Sequence, residues 1–472
     1  MIGGLRRTFE VVVVEGYVLR AVQFWFDWPV YALKRIWNFL PGHTAIDNED
    51  GMDRVQLERS VAYGGNDAKE KEKMHILTPE GTAATPTRAA AVLAAVKGKR
   101  EGEKKTTTTT ATRTTRAIVY CHGGGFVATC RELYYNSLAY LVRAGGFHIA
   151  VLDYPMAPQA RHPVPLLSVM RALDYLHQVR RGHASDVQFD DVHLFGDSAG
   201  SNLILHAAAL IRMPALWSRL KKQVKANSAL SGHYRDIDAW RFPRVTSCIS
   251  IYGMLSRRSA ENASFPVGVG LRFLWRCVTN GMNAEQERAS KLYPAAFDDL
   301  LGELMTAEKH TGFSMPPTFF AVGDIDPLVG SSLVTHERMS SLMAGDGNRK
   351  PLLRVFPSGF HGFFGVPPEW QLGLWRKAAR PAAEDVFSFL ERFELVSDGL
   401  GVAQDGGGRG GRGGGGAAWS GVPKGRARIG SDFYGVVVIS SIAIFMPLFI
   451  AGAPFVVWTT FNLIWREIWR EI

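Results

Sequence analysis

Two short stretches carry the groups needed to act on a carbonyl carbon: His122-Gly123-Gly124-Gly125-Phe126 and Gly196-Asp197-Ser198-Ala199-Gly200. In the second, glycines flank a serine at the spacing of a very tight strand-to-helix turn, which leaves the Ser198 hydroxyl projecting from the end of a sheet as a nucleophile. In the first, three consecutive residues without Cβ let backbone N–H groups approach a substrate oxygen closely. There they can hold the negative charge that forms when a serine attacks. A serine of this kind needs a base. His361, in Pro357-Ser358-Gly359-Phe360-His361-Gly362-Phe363, is suited to take the proton from Ser198 and return it to the departing group. An acid must fix that imidazole's tautomer and stabilise its charged form. Gly323-Asp324-Ile325-Asp326-Pro327-Leu328 offers two carboxylates for the task, Asp324 and Asp326.

Apolar runs of strand length lead into each of these segments. Ala117–Cys121 delivers His122, Val192–Phe195 runs into the serine turn, Thr318–Val322 precedes the two aspartates and Leu352–Phe356 precedes His361. Ser201–Ile211 reads as a helix, so the pentapeptide lies at the strand–turn–helix junction its mechanics require. Further runs at 148–152 and 247–251, with helical stretches at Arg131–Ala144 and Leu166–Gln178, complete an alternating pattern. Such alternation predicts an α/β fold with a mainly parallel central sheet and helices on both faces. A length of 472 residues accommodates one catalytic domain with additions.

The motifs and their order (nucleophile, then acid, then histidine) resemble the hormone-sensitive lipase and arylacetamide deacetylase branch of the α/β-hydrolases. The resemblance runs from about residue 115 to 395 and includes Asp153-Tyr154-Pro155-Met156-Ala157-Pro158-Gln159, Asp326-Pro327-Leu328 and His361-Gly362-Phe363. It implies an α/β-hydrolase fold with a helical cap, and a serine carboxylic-ester hydrolase working through an acyl-enzyme without metal or organic cofactor. It also implies a triad of Ser198, Asp326 and His361, with oxyanion donors from Gly123, Gly124, Gly125 and the N–H of Ala199. Asp326 is favoured over Asp324 by the family's Asp-Pro-Leu pattern. Amide hydrolysis on the same triad and a catalytically silent membrane scaffold are the alternatives. Two departures stand out. The family's Tyr-Arg-Leu-Ala-Pro-Glu is Tyr154-Pro155-Met156-Ala157-Pro158-Gln159 here, which removes an expected ionic contact. Insertions near 213–242 and 257–296 are expected to enlarge the cap, with Phe265, Leu271, Phe273, Leu274 and Trp275 available to line an apolar pocket. His122 is expected to brace the oxyanion loop and Asp197 to organise the serine turn; His193, His206 and His336 carry no expected role.

The four cysteines lack metal-ligand spacing, so no zinc is expected. No charged residue occurs from Phe433 to Trp465, which exceeds the roughly 20 apolar residues that cross a bilayer as a helix. A transmembrane or re-entrant segment is therefore expected at 433–465, joined to a catalytic domain at 51–400 by a Gly/Arg-rich linker at 401–432. Residues 1–50 are rich in aromatic side chains but interrupted by charges, as expected of an interfacial or cap helix, and 81–115 form a low-complexity insertion. The net charge of +10 is dispersed, which suits an anionic membrane surface and argues against nucleic acid. Lys424, Arg426 and Arg428 precede the apolar stretch, whereas Glu467 and Glu471 offset Arg466 and Arg470 after it. The expectation is a membrane protein of the endoplasmic reticulum with a cytosolic catalytic domain, acting on a lipophilic ester among membrane lipids.

Overall fold

The computed structural model of the chain describes residues 55–63, 72–79, most of 117–364, and 381–392. Within 117–364, residues 128, 179–188, 263–266, 280, 283, 291, 307–312 and 344–349 fall outside that description. The N-terminal region 1–50, the insertion 81–115, the linker 401–432 and the apolar stretch 433–465 also lie outside the described residues. Among the described residues no single helix is long and apolar enough to cross a membrane.

Eight strands form one sheet: β1 Val55–Ala62, β2 Lys73–Pro79, β3 Ala117–Cys121, β4 His148–Leu152, β5 Asp191–Asp197, β6 Arg244–Ile251, β7 Thr318–Gly323 and β8 Leu352–Phe356. Their order is β1-β2-β4-β3-β5-β6-β7-β8. From β4 to β8 every neighbour pairs in parallel, while β1 and β2 add an antiparallel edge. The central strands are mostly buried because helices cover both of their faces; every residue of β3 and β7 is buried. The six apolar runs of the sequence are β3 to β8. The other two strands escape that reading because Glu58, Arg59, Lys73 and His75 break their apolar character.

After a 3-10 turn at Arg131–Tyr134 come α1 Tyr135–Gly145, α2 Val164–Gln178, α3 Ala199–Arg212, α4 Pro214–Ala226, α5 Ser228–His233, α6 Arg257–Glu261, α7 Val267–Val278, α8 Ala284–Ala289, α9 Phe297–Thr306 and α10 Val329–Leu342. A further helix, α11, spans 381–392. Leu138, Leu141 and Val142 of α1 and Val386, Phe389 and Leu390 of α11 bury one face of the sheet with Ile118, Tyr120, Phe195, Ile249 and Phe319. The opposite face carries α10, whose His336 meets Phe320 edge-on at 6.0 Å. Alternate residues of one strand thus enter two separate cores.

The two long insertions differ in place. Residues 213–242 were expected over the active site, and the structure puts them at the far end of α3. That helix runs 14 residues from the serine turn, roughly 20 Å. Pro214 then forces Met213 out of helical geometry, and the chain bends by 110° into α4. The segment packs on α2: Arg171 donates to His233 O at 2.7 Å and stacks on the Tyr234 ring at 4.5 Å, and Arg241 N–H donates to Asp174 at 2.6 Å. The second insertion does reach the oxyanion loop, since Trp275 of α7 is buried with its ring 5.8 Å from Phe126.

Behind α7 the chain is sewn to α3 by buried polar groups. The Asn202 amide donates to Ala295 O at 2.7 Å and its oxygen accepts from Phe297 N–H at 2.9 Å. His206 Nδ1 lies 3.0 Å from the Tyr293 hydroxyl, and His162 Nε2 lies 2.9 Å from Tyr293 O. Burial pushes His162 down to about 4 and, with the charge of His162 added, His206 down to about 3. Both rings are therefore neutral in the folded protein, while unfolded imidazoles take up protons below about 6.5. Stability falls as the pH drops from about 6.5 toward 4, by about 2 kcal/mol per ring at pH 5. Urea unfolding at about pH 7 and about pH 5 is expected to show that loss, smaller in His206→Gln; an identical pH dependence in the variant would contradict the assignment.

Candidate active site

Ser198 is the single residue between β5 and α3. It holds φ 49° and ψ −117°, a conformation costing about 1–3 kcal/mol that persists only where its surroundings impose it. The first turn after β6 imposes it from both sides: Ser198 N–H donates to Ile251 O, and Met254 N–H donates to Ser198 O, each at 2.9 Å. Space for the turn comes from Gly200, where a Cβ would lie 2.0 Å from the Cys121 carbonyl oxygen. Any side chain there would drive α3 away from β3.

The acid and the base stand on the turns that follow β7 and β8. Those turns touch at Gly323, where a Cβ would lie 1.8 Å from Gly359 O, so the backbones meet directly. Asp326 is buried, and its Oδ1 accepts from Leu328 N–H at 2.7 Å. His361 Nδ1 lies 3.1 Å from both Asp326 oxygens, and its Nε2 lies 3.1 Å from Ser198 Oγ. Asp324, the other carboxylate of the sequence, is exposed. The structure thus brings Asp326, and not Asp324, to the imidazole.

All three groups sit at the carboxyl ends of parallel strands, where open α/β sheets place their sites. A model of the alpha/beta hydrolase fold family matches residues 118–365, more than half of the chain. The chain belongs to the alpha/beta hydrolase fold family. It is similar to the acetyl esterase of Salmonella schwarzengrund, 25% identical over 257 residues that cover 53% of this chain and 66% of that protein. The acetyl esterase of Salmonella typhi is 24% identical over 252 residues, covering 52% and 64%. The matched region spans slightly less than two thirds of these curated relatives. Among solved structures, esterase B of Lactobacillus rhamnosis aligns with a TM-score of 0.52 at 14% identity, over 82% of this chain and 98% of that one, a likeness of fold alone.

In this chain the glycine loop is held by its carbonyls. Gly123 O accepts from Thr129 Oγ1 at 2.7 Å and is met by His122 Nδ1 at 2.8 Å; Gly124 O accepts from Val127 N–H at 3.0 Å. With those carbonyls engaged, what the loop can offer a substrate oxygen is N–H groups. Ala199 opens α3, so its amide is among the four at a helix start that find no partner within the helix. His122 is buried, stacked on Tyr154 at 4.7 Å, and its Nε2 lies 3.5 Å from Asp153. The brace extends further. Arg131 pairs with Asp153, the Tyr154 hydroxyl donates to His122 O at 2.8 Å, and Ala157 N–H donates to Phe126 O at 2.8 Å. The Arg131–Asp153 pair supplies an ionic contact beside the loop where the family's arginine and glutamate are absent.

Asp197 lies beneath the serine turn with Oδ1 accepting from the Tyr120 hydroxyl at 2.7 Å and Oδ2 from that of Tyr134 at 3.2 Å. Burial pushes its carboxyl above the usual range. Sequence reading missed both tyrosines and Arg131, because their partners are 77, 63 and 22 residues away and no local spacing announces them. It missed Tyr252 too, whose ring meets His361 edge-on at 4.8 Å. The four cysteines are free thiols, and among the described residues no group of His, Cys, Asp or Glu could hold a metal ion.

Burial alone would lower the His361 pKa, but the charge and hydrogen bond of Asp326, followed by the charge of Asp197, outweigh it and leave the imidazole above its ordinary value. Followed by NMR, His361 is expected to titrate above about 6.5, and Asp326→Asn is expected to move that midpoint downward as burial takes over. A midpoint unchanged by the substitution would contradict the pairing.

Proposed function

We propose that the chain is a serine carboxylic-ester hydrolase acting on lipophilic esters. One observation carries this reading: the Asp326, His361 and Ser198 side chains stand in sequence at 3.1 Å separations beside a loop of glycine amides. Acetyl esterases among the relatives support the same chemistry.

In the first half-reaction Ser198 Oγ bonds to the ester carbonyl carbon while its proton passes to His361 Nε2. The carbonyl π pair moves onto oxygen, where the amides of Gly123, Gly124, Gly125 and Ala199 stabilise it. The pair then returns, the bond to the alcohol oxygen breaks, and His361 gives that oxygen its proton. The acyl group stays on Ser198. Water, deprotonated by the same Nε2, attacks this acyl-enzyme and releases the carboxylic acid with the Ser198 hydroxyl restored. Asp326 remains a carboxylate throughout and offsets the positive charge His361 acquires twice per cycle.

The uncharged stretch from Phe433 to Trp465 supports the view that the enzyme is held at a bilayer, in the endoplasmic reticulum with the catalytic domain on the cytosolic side. A substrate that partitions into lipid is then concentrated where the enzyme sits, with membrane lipids as surroundings and no nucleic-acid partner. Purified Ser198→Ala is expected to lose hydrolysis of short p-nitrophenyl esters by a factor of about 10⁴ or more while keeping its circular dichroism spectrum. Turnover retained within a few-fold of the parent would sink the proposal.

A further inference from the structure

The glycine loop has a cover as well as a brace. A Cβ placed on Gly125 would lie 2.7, 3.0 and 3.3 Å from Cδ1, Cδ2 and Cγ of Leu274, so the isobutyl group of this α7 residue fills the volume over the loop's third glycine. Gly125 takes φ +59°, a backbone conformation that already excludes most side chains; Leu274 occupies the room its missing Cβ leaves. Leu274 is half-buried, and its neighbour Trp275 is buried behind it against Phe126.

This cover is fixed in place. One turn beyond Leu274, Val278 O accepts from His162 N–H at 3.0 Å. Buried Arg257 of α6 pairs with buried Glu287 of α8 and donates to Met282 O, while the other Glu287 oxygen accepts from Ala295 N–H at 2.7 Å. The end of α7 is therefore tied to the scaffold by charge-assisted bonds out of water, which are costly to break.

Sheet order shows which part of an ester would meet Leu274. The oxyanion loop follows β3, Ser198 follows β5, and His361 follows β8, so Gly125 and His361 flank the nucleophile from opposite sides. The leaving alcohol oxygen has to reach His361 Nε2 to be protonated, which directs the alcohol toward β7 and β8. The carbonyl oxygen turns to the glycine amides on the β3 side, which Leu274 covers, and the acyl group, claimed by neither those amides nor His361, is the substituent free to run beneath it. We propose, resting on the esterase reading above, that Leu274 sets the acyl-length limit of the site, admitting acyl groups of a few carbons and placing the lipophilic part of the substrate on the alcohol.

The test compares kcat/KM for p-nitrophenyl acetate, butyrate and octanoate, using the full chain in detergent as parent, Leu274→Ala and Leu274→Phe. The parent is expected to favour the short esters over octanoate by about tenfold or more, and Leu274→Ala to reduce that ratio about tenfold. Leu274→Phe is expected to lower butyrate relative to acetate. Each ratio is internal to one variant, so partial loss of folded enzyme cancels. Hydrolysis with a chain-length profile the same in all three proteins would overturn the role of Leu274 and leave the esterase reading standing. A parent that hydrolyses none of the esters would overturn both.

Discussion

Asp326 is a carboxylate withdrawn from water and turned toward a single imidazole, and the site depends on that arrangement. In bulk water an aspartate and a histidine attract one another weakly, because solvent screens both. At the end of β7 the Asp326 side chain has no exposed surface, and its solvation is replaced by Leu328 N–H and by His361 Nδ1. The ring is thereby held in the tautomer that leaves Nε2 free to accept from Ser198. Its protonated form is favoured against a burial that would otherwise suppress it.

The rest of the fold keeps this pair and the serine in register. Ser198 cannot relax from its strained backbone because the β6 turn holds its N–H and its carbonyl, and two glycines bring chain segments into direct contact where an alanine would part them. On the other side of the nucleophile, the glycine loop is held by His122, Thr129 and the 153–157 segment. Two tyrosine hydroxyls occupy Asp197 underneath. The hydroxyls of Tyr120, Tyr134 and Tyr154 are buried and hydrogen-bonded, which favours one position of the loop over several. The same principle reappears in the cap, where Arg257 and Glu287 tie down the end of α7.

Much of this was legible in the residues. Strands β3 to β8 announce themselves as apolar runs, and the glycine loop, the serine turn, the aspartate pair and His361 lie at the ends of four of them, so the sheet and the groups of the site could be placed in advance. The choice between Asp324 and Asp326 could not be made from the residues themselves. They are two positions apart on one turn, and only the path of the chain decides which is buried toward His361. The antiparallel strands β1 and β2 were hidden by their polar residues. The insertion at 213–242 gave no sign of its destination: a helix that begins at the nucleophile carries the chain to the opposite end of the sheet, and Pro214 turns it there. The ionic and tyrosine braces were invisible because each joins residues distant in sequence.

The central claim is that Ser198 alone is made nucleophilic by this environment. Exposure of the full chain to a fluorophosphonate, followed by digestion and mass spectrometry, tests it most directly. The account predicts a single phosphonylated peptide carrying the adduct on Ser198, formed much more slowly when His361 is replaced by Gln. An adduct on another serine, or none on Ser198 in folded protein, would contradict it.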